Sequence, residues 1–224
     1  ETILSSMNRA ILVLALLAGC ATPPRWRPPE EMRAIWVTRF DYKTEADIRK
    51  IVTDCSELGF NTILFQVRGN GDAYYRSSWE PWGTWIGGTD PGFDPLEVAI
   101  LEARRQGVAL HAWINVMPAW RGRVPPENPD HLYNRHPEWI VRSKDGNPQT
   151  LNEHYVCVNP MRADVRAHLI AVARDIATRY PVDGLHLDYI RFYKDDGGDY
   201  SYDEDSLNLF GFATGGGPAS QPEA

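Results

Sequence analysis

The chain has 224 residues, of which 43% are hydrophobic and 24% charged, and its formal net charge is −7. This composition is typical of a globular protein and excludes a disordered or fibrous chain. The acidic balance argues against a nucleic-acid partner, because phosphate binding needs a basic face. Three cysteines, Cys20, Cys55 and Cys157, are too few for a disulfide scaffold and match no zinc-site spacing.

The N-terminal segment has the pattern of an export signal. Met7 is the expected start, Arg9 supplies a positive charge, and an apolar run over residues 10–18 follows. That run is too short to remain as a membrane-spanning helix. The string LAGC that ends at Cys20 resembles a bacterial lipobox, so we expect Cys20 to be lipidated and to anchor the protein to a membrane. The alternative is a plain signal peptide with an incidental cysteine.

Strand and helix patterns alternate through the rest of the chain. Helix starts are predicted at Thr44, at Asp94 with Pro95, and at Asn159 with Pro160. The order β-α-β-α-β-α-β predicts an α/β fold with a parallel sheet and right-handed crossovers. The four predicted strands are short runs of apolar and β-branched residues: 33–38, 61–68, 109–116 and 184–190.

The predicted strands two to four have one apolar face, which suits covering helices, and one face that becomes polar toward the carboxyl ends. Parallel α/β proteins place their sites at those ends. A lone strand histidine is more often a core residue, but a pattern shared by three strands favours a site. We therefore expect these side chains to converge: Gln66, Arg68, His111, Trp113, Asn115, His186 and Asp188.

Two long segments, residues 69–93 and 117–158, follow strands two and three and are rich in aromatic residues. Long loops in compact domains are usually functional. Aromatic rings offer flat apolar faces on which sugar rings stack, and we predict this role for Tyr74 and Trp82. The alternative, that such rings only pack the loops down, is expected for about half of them.

Several chemistries lack their motifs. A Gly-rich turn after strand one is missing, which argues against nucleotide binding, and so is a Gly-x-Ser-x-Gly elbow. We predict no cofactor and no metal, although His111, His186 and Asp188 leave metal-dependent hydrolysis or deacetylation open. The acidic run between Asp195 and Asp205 does not have EF-hand spacing and predicts a solvated loop, with a loose calcium site as the alternative.

Carboxylate chemistry remains. Glycoside hydrolysis needs two carboxyl groups that flank the scissile bond. Asp188 is the best candidate for one, as nucleophile or base, and Asp72 is a candidate for the other, with Arg191 as a substrate-binding neighbour. The alternative for Asp188 is a structural ion pair with Arg68 or Arg191.

Eight ordered stretches of the chain resemble the bacterial glycosyl-hydrolase-like 10 family: RAIWVTR (33–39), GFNTILFQVR (59–68), DAYY (72–75), EPW (80–82), DPGFDP (90–95), LHAWIN (110–115), HPEW (136–139) and VDGLHLDY (182–189). The resemblance runs from about Arg33 to the C-terminus. It implies a (β/α)8 TIM barrel that hydrolyses a bacterial polysaccharide. Family members are typically secreted or lipoproteins, and some act on peptidoglycan glycan strands. Matching motif positions are Arg68, Asp72, His111, Asn115, His186 and Asp188.

Tyr189 stands where many family members have a second aspartate, which argues against a mechanism that needs that carboxylate. The barrel is expected to be incomplete, since eight strands typically take about 250 residues and only four are predicted. We expect a signal peptide over 1–20, a Pro-rich tether over 21–32, the first part of the barrel over 33–212, and a Gly/Pro-rich tail at a truncation point over 213–224. The second catalytic carboxyl then lies either at Asp72 or beyond residue 224.

These expectations combine into one function. We predict a glycoside hydrolase of the bacterial cell envelope that acts on a polysaccharide, with peptidoglycan glycan strands as a candidate. It is expected to be membrane-anchored, at the outer membrane facing the periplasm, or secreted. The alternative is a non-catalytic glycan-binding lipoprotein on the same scaffold. Whether this chain alone is active, and its oligomeric state, stay open.

Overall fold

The computed structural model describes residues 31–191 and 198–213. The expected signal peptide, Cys20, most of the tether, Asp195, Asp196 and nearly all of the tail lie outside these residues. Within the described ranges, no helix is both long enough and apolar enough to cross a membrane.

The described chain alternates strands and helices, as its sequence pattern predicts. In chain order the elements are β1 (Ala34–Val37), α1 (Glu45–Glu57), β2 (Thr62–Arg68), α2 (Pro95–Gln106), β3 (Ala109–Asn115), β4 (Pro118–Arg121), α3 (Leu132–Arg135), β5 (Tyr155–Cys157), α4 (Ala163–Arg179), β6 (Gly184–Asp188) and α5 (Glu204–Ala213). Two short 3-10 turns cover Thr84–Ile86 and Pro137–Trp139.

Four strands form one parallel sheet in the order β1-β2-β3-β6. The predicted α/β class and the four predicted strands are therefore confirmed. The segment between β3 and α4 is not a plain loop, because β4 and β5 pair as a small antiparallel sheet within it. The four parallel strands β1, β2, β3 and β6, with the helices that connect them, form a partial barrel.

Two of the three predicted helix starts are confirmed. Thr44 caps α1 in a capping box with Asp47, and the carboxylate of Asp94 accepts the backbone N–H groups of Leu96 and Glu97 at 3.0 and 3.2 Å. The predicted start of the third helix at Asn159 is wrong, since α4 begins at Ala163. The Asn159 side chain instead accepts the N–H of Met161 at 2.9 Å, which closes a turn ahead of the helix.

The hydrophobic core lies between the helices and the apolar face of the sheet. Cys55 is part of it, as its helical spacing predicts. Leu187 is the exception on the apolar face, because it lies on the edge strand β6 and is 48% exposed. The buried core residues of β2 and β3 are Ile63, Phe65, Val67, Leu110, Ala112 and Ile114, and those of the helices include Ile48, Val52, Leu96, Ala99 and Ile176.

We predict that Thr44→Ala lowers the free energy of unfolding by about 1 kcal/mol, because the first turn of α1 loses its side-chain cap. Thr178→Ala is the matched control. Thr178 lies inside α4 and is exposed, and its hydroxyl donates to the Arg174 carbonyl. Urea unfolding followed by circular dichroism measures both variants, and equal losses in the two would contradict the capping role.

Candidate functional site

The register of the sheet brings the predicted polar residues into rows on the face opposite the helices. Gln66, Trp113 and His186 are direct neighbours across β2, β3 and β6, and Asn115 pairs with Asp188 one step closer to the carboxyl ends. The sequence-based expectation of a shared polar face therefore agrees with the strand register.

An aromatic and histidine cluster covers the middle of this face. The indole N–H of Trp36 donates to Nε2 of His186 at 3.1 Å, and Trp113 lies edge-on to the same imidazole at 6.2 Å. Burial lowers the pKa of His111, and the nearby His186 lowers it further against the attraction of Asp183. A Cβ at Gly184 would lie 2.9 Å from the His111 ring, so glycine makes room for that ring.

Arg68 does not lie in this row and has a structural role instead. The register shifts between Gln66 and Arg68, and the guanidinium forms a two-pronged ion pair with Glu80, at 2.8 Å from Nε and 2.7 Å from Nη2. Nη1 donates to the backbone carbonyls of Asn115 and Val116. Both ion-pair side chains are 1% exposed. This corrects the expectation that Arg68 binds substrate, since its donors are already used inside the protein.

The ion pair determines the charge state of Glu80. Burial alone raises the pKa of this carboxyl, but the charge and hydrogen bonds of Arg68, together with His168, outweigh burial and lower the pKa to about 2. His168 reaches Glu80 through Nε2 at 3.1 Å from the α4 side. Glu80 therefore remains ionised and connects the loop after β2 both to Arg68 of β2 and to His168 of α4.

A cavity of about 220 Å³ opens at the carboxyl ends of β1 and β2. It contains one carboxylate, two guanidinium groups, two polar side chains and four aromatic rings. The rings of Phe40 and Trp85 meet edge to face at 5.4 Å and are 47% and 39% exposed. The lining residues are Arg39, Phe40, Asn70, Asp72, Tyr74, Thr84, Trp85, Trp120 and Arg121.

Asp72 and Arg39 form the polar floor of this cavity. One oxygen of Asp72 accepts the N–H of Asn70 at 2.9 Å, and the other accepts the Tyr74 hydroxyl at 3.4 Å. Arg39 donates to Gln66 at 3.1 Å and to Asn70 at 2.9 Å. Burial lowers the pKa of Arg39, but the charge of Asp72 and the contact with Tyr155 outweigh burial and raise the pKa.

Gln66 is therefore a second support, because its side-chain oxygen also accepts the N–H of Arg39 at 3.1 Å. Gly69 allows Arg39 to lie in this position, since a Cβ there would come within 2.5 Å of the Arg39 Nε atom. The predicted substrate contact through Gln66 is corrected on the same ground as that of Arg68: the residue is buried and holds Arg39.

Asp188 lies at the end of β6 with its side chain 26% exposed. Its Oδ1 atom accepts the N–H of Tyr189 at 2.6 Å and the guanidinium of Arg191 at 3.1 Å. Of the two ion pairs considered for Asp188, the one with Arg191 is present, and Arg68 binds Glu80 instead. Tyr189 has a φ of 53°, a left-handed conformation that few non-glycine residues adopt.

Two tyrosines link Asp188 to the cavity. The Tyr189 ring meets the Tyr155 ring at 5.1 Å, and the Tyr155 hydroxyl accepts from Arg39 at 3.4 Å. Asp188 itself does not line the cavity. A chain of contacts through Arg39, Tyr155 and Tyr189 thus connects Asp72 with Asp188.

The other predicted contacts are distributed as follows. Tyr74 lines the cavity, whereas Trp82 is half-buried and does not line it. Asn115 Oδ1 and Trp113 Nε1 are buried and have no hydrogen-bond partner among the described residues. His111, His186 and Asp188 do not form a metal-binding group. Residues 31–191 and 198–213 contain no group of three or more His, Cys, Asp or Glu side chains that could hold a metal ion.

Nine residues that build the site were not among the predicted site residues: Arg39, Phe40, Asn70, Glu80, Thr84, Trp85, Trp120, Arg121 and Tyr155. Arg39 and Glu80 fall inside motifs that carry the family resemblance, so those motifs were the available signal. Asn70 lies two residues before Asp72. Trp120 and Tyr155 belong to β4 and β5, and no local pattern in the sequence indicates that this hairpin reaches Arg39.

We predict that Glu80→Gln lowers the free energy of unfolding by about 3–5 kcal/mol at neutral pH, because Arg68 stays buried without its counter-charge. The folded pKa of about 2 lies below the ordinary 4.5, so the ionised group stabilises the fold fully above about pH 4.5. This contribution is lost as the pH falls toward 2. The difference between wild type and variant should therefore shrink below about pH 4.5.

Denaturant unfolding at pH 7, 5 and 3 measures this difference. Glu138→Gln is the control, because Glu138 is half-exposed and its ion pair within the described residues is with the His136 ring, at 3.1 Å. Its change is expected within about 0.5 kcal/mol. A Glu80→Gln protein as stable as wild type at pH 7 would refute the supporting role of the pair.

Comparison with known proteins agrees with this architecture. The sequence profile described as Glycosyl hydrolase-like 10 matches residues 31–223. Glycosyl hydrolase DigH of Escherichia coli K12 is 27% identical over 91% of this chain and 56% of its own length. Glycosyl hydrolase YngK of Bacillus subtilis is 25% identical over 73% of this chain and 34% of its own. The chain thus spans about a third to just over half of these relatives.

Two solved structures share the fold at low sequence identity. A hypothetical protein from Ruminiclostridium thermocellum superposes with a TM-score of 0.55 at 18% identity, covering 80% of this chain and 90% of its own. The maltogenic α-amylase AmyB from Thermotoga neapolitana gives 0.50 at 16%, covering 72% and 40%. The α/β fold is that of TIM-barrel neighbours, with four β/α units in residues 31–191 and 198–213. The profile match covers most of the chain, and the chain belongs to the Glycosyl hydrolase-like 10 family.

Proposed function

We propose that the protein hydrolyses glycosidic bonds in a polysaccharide of the bacterial cell envelope, with peptidoglycan glycan strands as its substrate. The observation that carries the proposal is the cavity that combines the Asp72 carboxylate with the exposed rings of Phe40 and Trp85. Family membership supports a carbohydrate substrate.

A sugar fits this cavity chemically. The C–H face of a pyranose ring stacks on aromatic side chains, and its hydroxyl groups need fixed donors and acceptors. Phe40 and Trp85 offer such rings. A cation lies over one face of each: the Arg39 guanidinium 4.2 Å from the centre of the Phe40 ring, and the Lys43 ammonium 4.0 Å from that of Trp85. Arg121 and Asn70 supply polar groups to the same lining.

The proposed chemistry uses two carboxyl groups. In glycoside hydrolysis one carboxylic acid protonates the leaving oxygen, while a second carboxylate attacks the anomeric carbon or activates a water molecule. We assign Asp188 as nucleophile or base, because it is partly exposed and oriented by the Tyr189 amide and Arg191. Asp72 is the second carboxyl, oriented by Asn70 and Tyr74.

A second function, glycan binding without catalysis, is favoured by one contact. The ion pair between Arg191 and Asp188 occupies an oxygen of the proposed nucleophile. A carboxylate that is held in an ion pair can have a purely structural role. Both functions share the aromatic cavity, so binding alone does not separate them. For either function we propose export and lipid attachment through Cys20.

We predict that Asp188→Asn in the full-length protein lowers the rate of glycan cleavage at least about a hundredfold while glycan binding is retained. The amide keeps the shape of the side chain but neither attacks nor accepts a proton. Asp72→Asn is expected to cause a comparable loss. Asp90→Asn is the matched control, because Asp90 is exposed and its nearest cation is Arg76 at 3.6 Å.

The assay digests purified peptidoglycan glycan strands, with and without stem peptides, and detects new reducing ends by mass spectrometry. Cleavage by wild type and by Asp90→Asn but not by Asp188→Asn supports the hydrolase. Retained binding with no cleavage by wild type would refute the hydrolase on this substrate and leave the binding function.

A further inference from the structure

A second and larger cavity, of about 510 Å³, lies apart from the candidate active site. It is formed by the segment after β2, by α3 with the turn that follows it, and by the start of α4, and it shares no lining residue with the first cavity. Its volume is in the range of about 300–1,000 Å³ that is usual for small-molecule sites. An adjoining cavity of about 200 Å³ shares four residues with it: Ser78, Trp79, Asp130 and Arg135. We call the two together the Trp79 groove.

Trp79 is the central side chain of this groove. It is 52% exposed and lines both cavities. On one side its ring meets the His168 ring edge-on at 6.1 Å. Exposure of so large an apolar ring to water is unfavourable, and an exposed ring beside a cavity often marks a binding site.

The backbone around Trp79 is fixed in place. The hydroxyl of Ser77 accepts the N–H groups of both Trp79 and Glu80 at 3.1 Å. The N–H of Ser78 donates to Asp175 on α4 at 3.2 Å. The next residue, Glu80, is held by the buried ion pair with Arg68. The segment that carries the indole is therefore preorganised, so little conformational entropy is lost when a ligand stacks on the ring.

The wall of the groove is aromatic and hydrogen-bonded. The Trp139 ring stacks on His136 at 3.9 Å with an angle of 8° between their planes, and its N–H donates to Asp164 at 3.1 Å. Trp139 also packs against His168 at 5.2 Å. The arrangement gives a rigid surface of flat rings around Trp79.

Two charged side chains at the groove have unused hydrogen-bonding capacity. The carboxylate of Asp130 and the guanidinium of Arg135 make no side-chain hydrogen bond or ion pair within residues 31–191 and 198–213. They offer an acceptor and several donors beside an exposed indole. A purely apolar partner would leave both charges desolvated and unpaired, which is costly.

We infer that the Trp79 groove is a saccharide-binding site, separate from the candidate cleavage site, that holds another sugar unit of the same glycan. The indole stacks on the apolar face of a pyranose ring, and Asp130 and Arg135 bind its hydroxyl or acetamido groups. The choice of glycan rests on the proposed function, whereas the groove itself rests on its own residues.

The test follows indole N–H signals by NMR in the full-length protein carrying Asp188→Asn, which prevents turnover. The signal of Trp79 is identified by its loss in Trp79→Phe, and that of Trp85 by its loss in Trp85→Phe. The probes are tetra-N-acetylchitotetraose and glycan strands freed of stem peptides. We expect the Trp79 signal to shift in a saturable manner with both probes.

Affinity at the groove is measured with the same probes. Trp79→Ala and Arg135→Ala should each weaken it, the former by about tenfold, while Trp79→Phe keeps most of it because a flat ring remains. Arg105→Ala is the matched control, since Arg105 is an exposed arginine of α2 paired only with Glu102 among the described residues. Thermal unfolding confirms that each variant is folded.

The outcomes separate this inference from the proposed function. A shift at Trp85 with none at Trp79 would overturn the second site and leave the cleavage site standing. No shift at either ring would also overturn it, and the glycan digest then decides the proposed function independently. A saturable Trp79 shift, together with weaker binding by Trp79→Ala and Arg135→Ala than by Arg105→Ala, supports the inference even where wild type cleaves no glycan.

Discussion

The buried ion pair between Arg68 and Glu80 is the contact on which the functional end of this sheet depends. Each charge loses its water, at a cost of several kcal/mol, and only the two-pronged geometry and the additional partners offset that loss. Those partners lie on two further elements: Arg68 on β2 also binds carbonyls at the end of β3, and Glu80 also binds His168 of α4. The pair therefore fixes the long segment after β2 against the rest of the barrel wall.

Much of the fold could be predicted because its signals are local. The alternation of β2 and β3 and the caps at Thr44 and Asp94 depend on neighbours within a few residues. The start of α4 could not be read in this way, because Asn159 is an equally good residue for a turn. The hairpin of β4 and β5 was missed because more than thirty residues separate its strands and its pairing is long-range.

The same distinction between local signals and long-range contacts applies to the site. Side-chain alternation correctly predicts that Gln66, Trp113 and His186 share one face, because successive side chains of a strand point to opposite faces of the sheet. It fails at Arg68, where a register shift turns the side chain from the expected row into the ion pair. It also gives no means of choosing between Trp82 and Trp85, since only the fold of the loop decides which ring lines the cavity.

The position of Glu80 has a consequence for how a polymer would be held. Asp72, Trp79 and Trp85 all belong to the one segment that Glu80 fastens, and they line the two separate cavities. Movement of Glu80 would leave Arg68 buried without its counter-charge, which is costly. The spacing between the two cavities is therefore fixed before a ligand binds. Two sites at a fixed spacing on one surface favour a long ligand over a short one, because binding at the first raises the effective concentration at the second. If both proposed sites bind sugar, the rigidity of this loop favours an extended glycan, and the ion pair that supplies the rigidity includes Glu80, which lines the smaller cavity of the Trp79 groove.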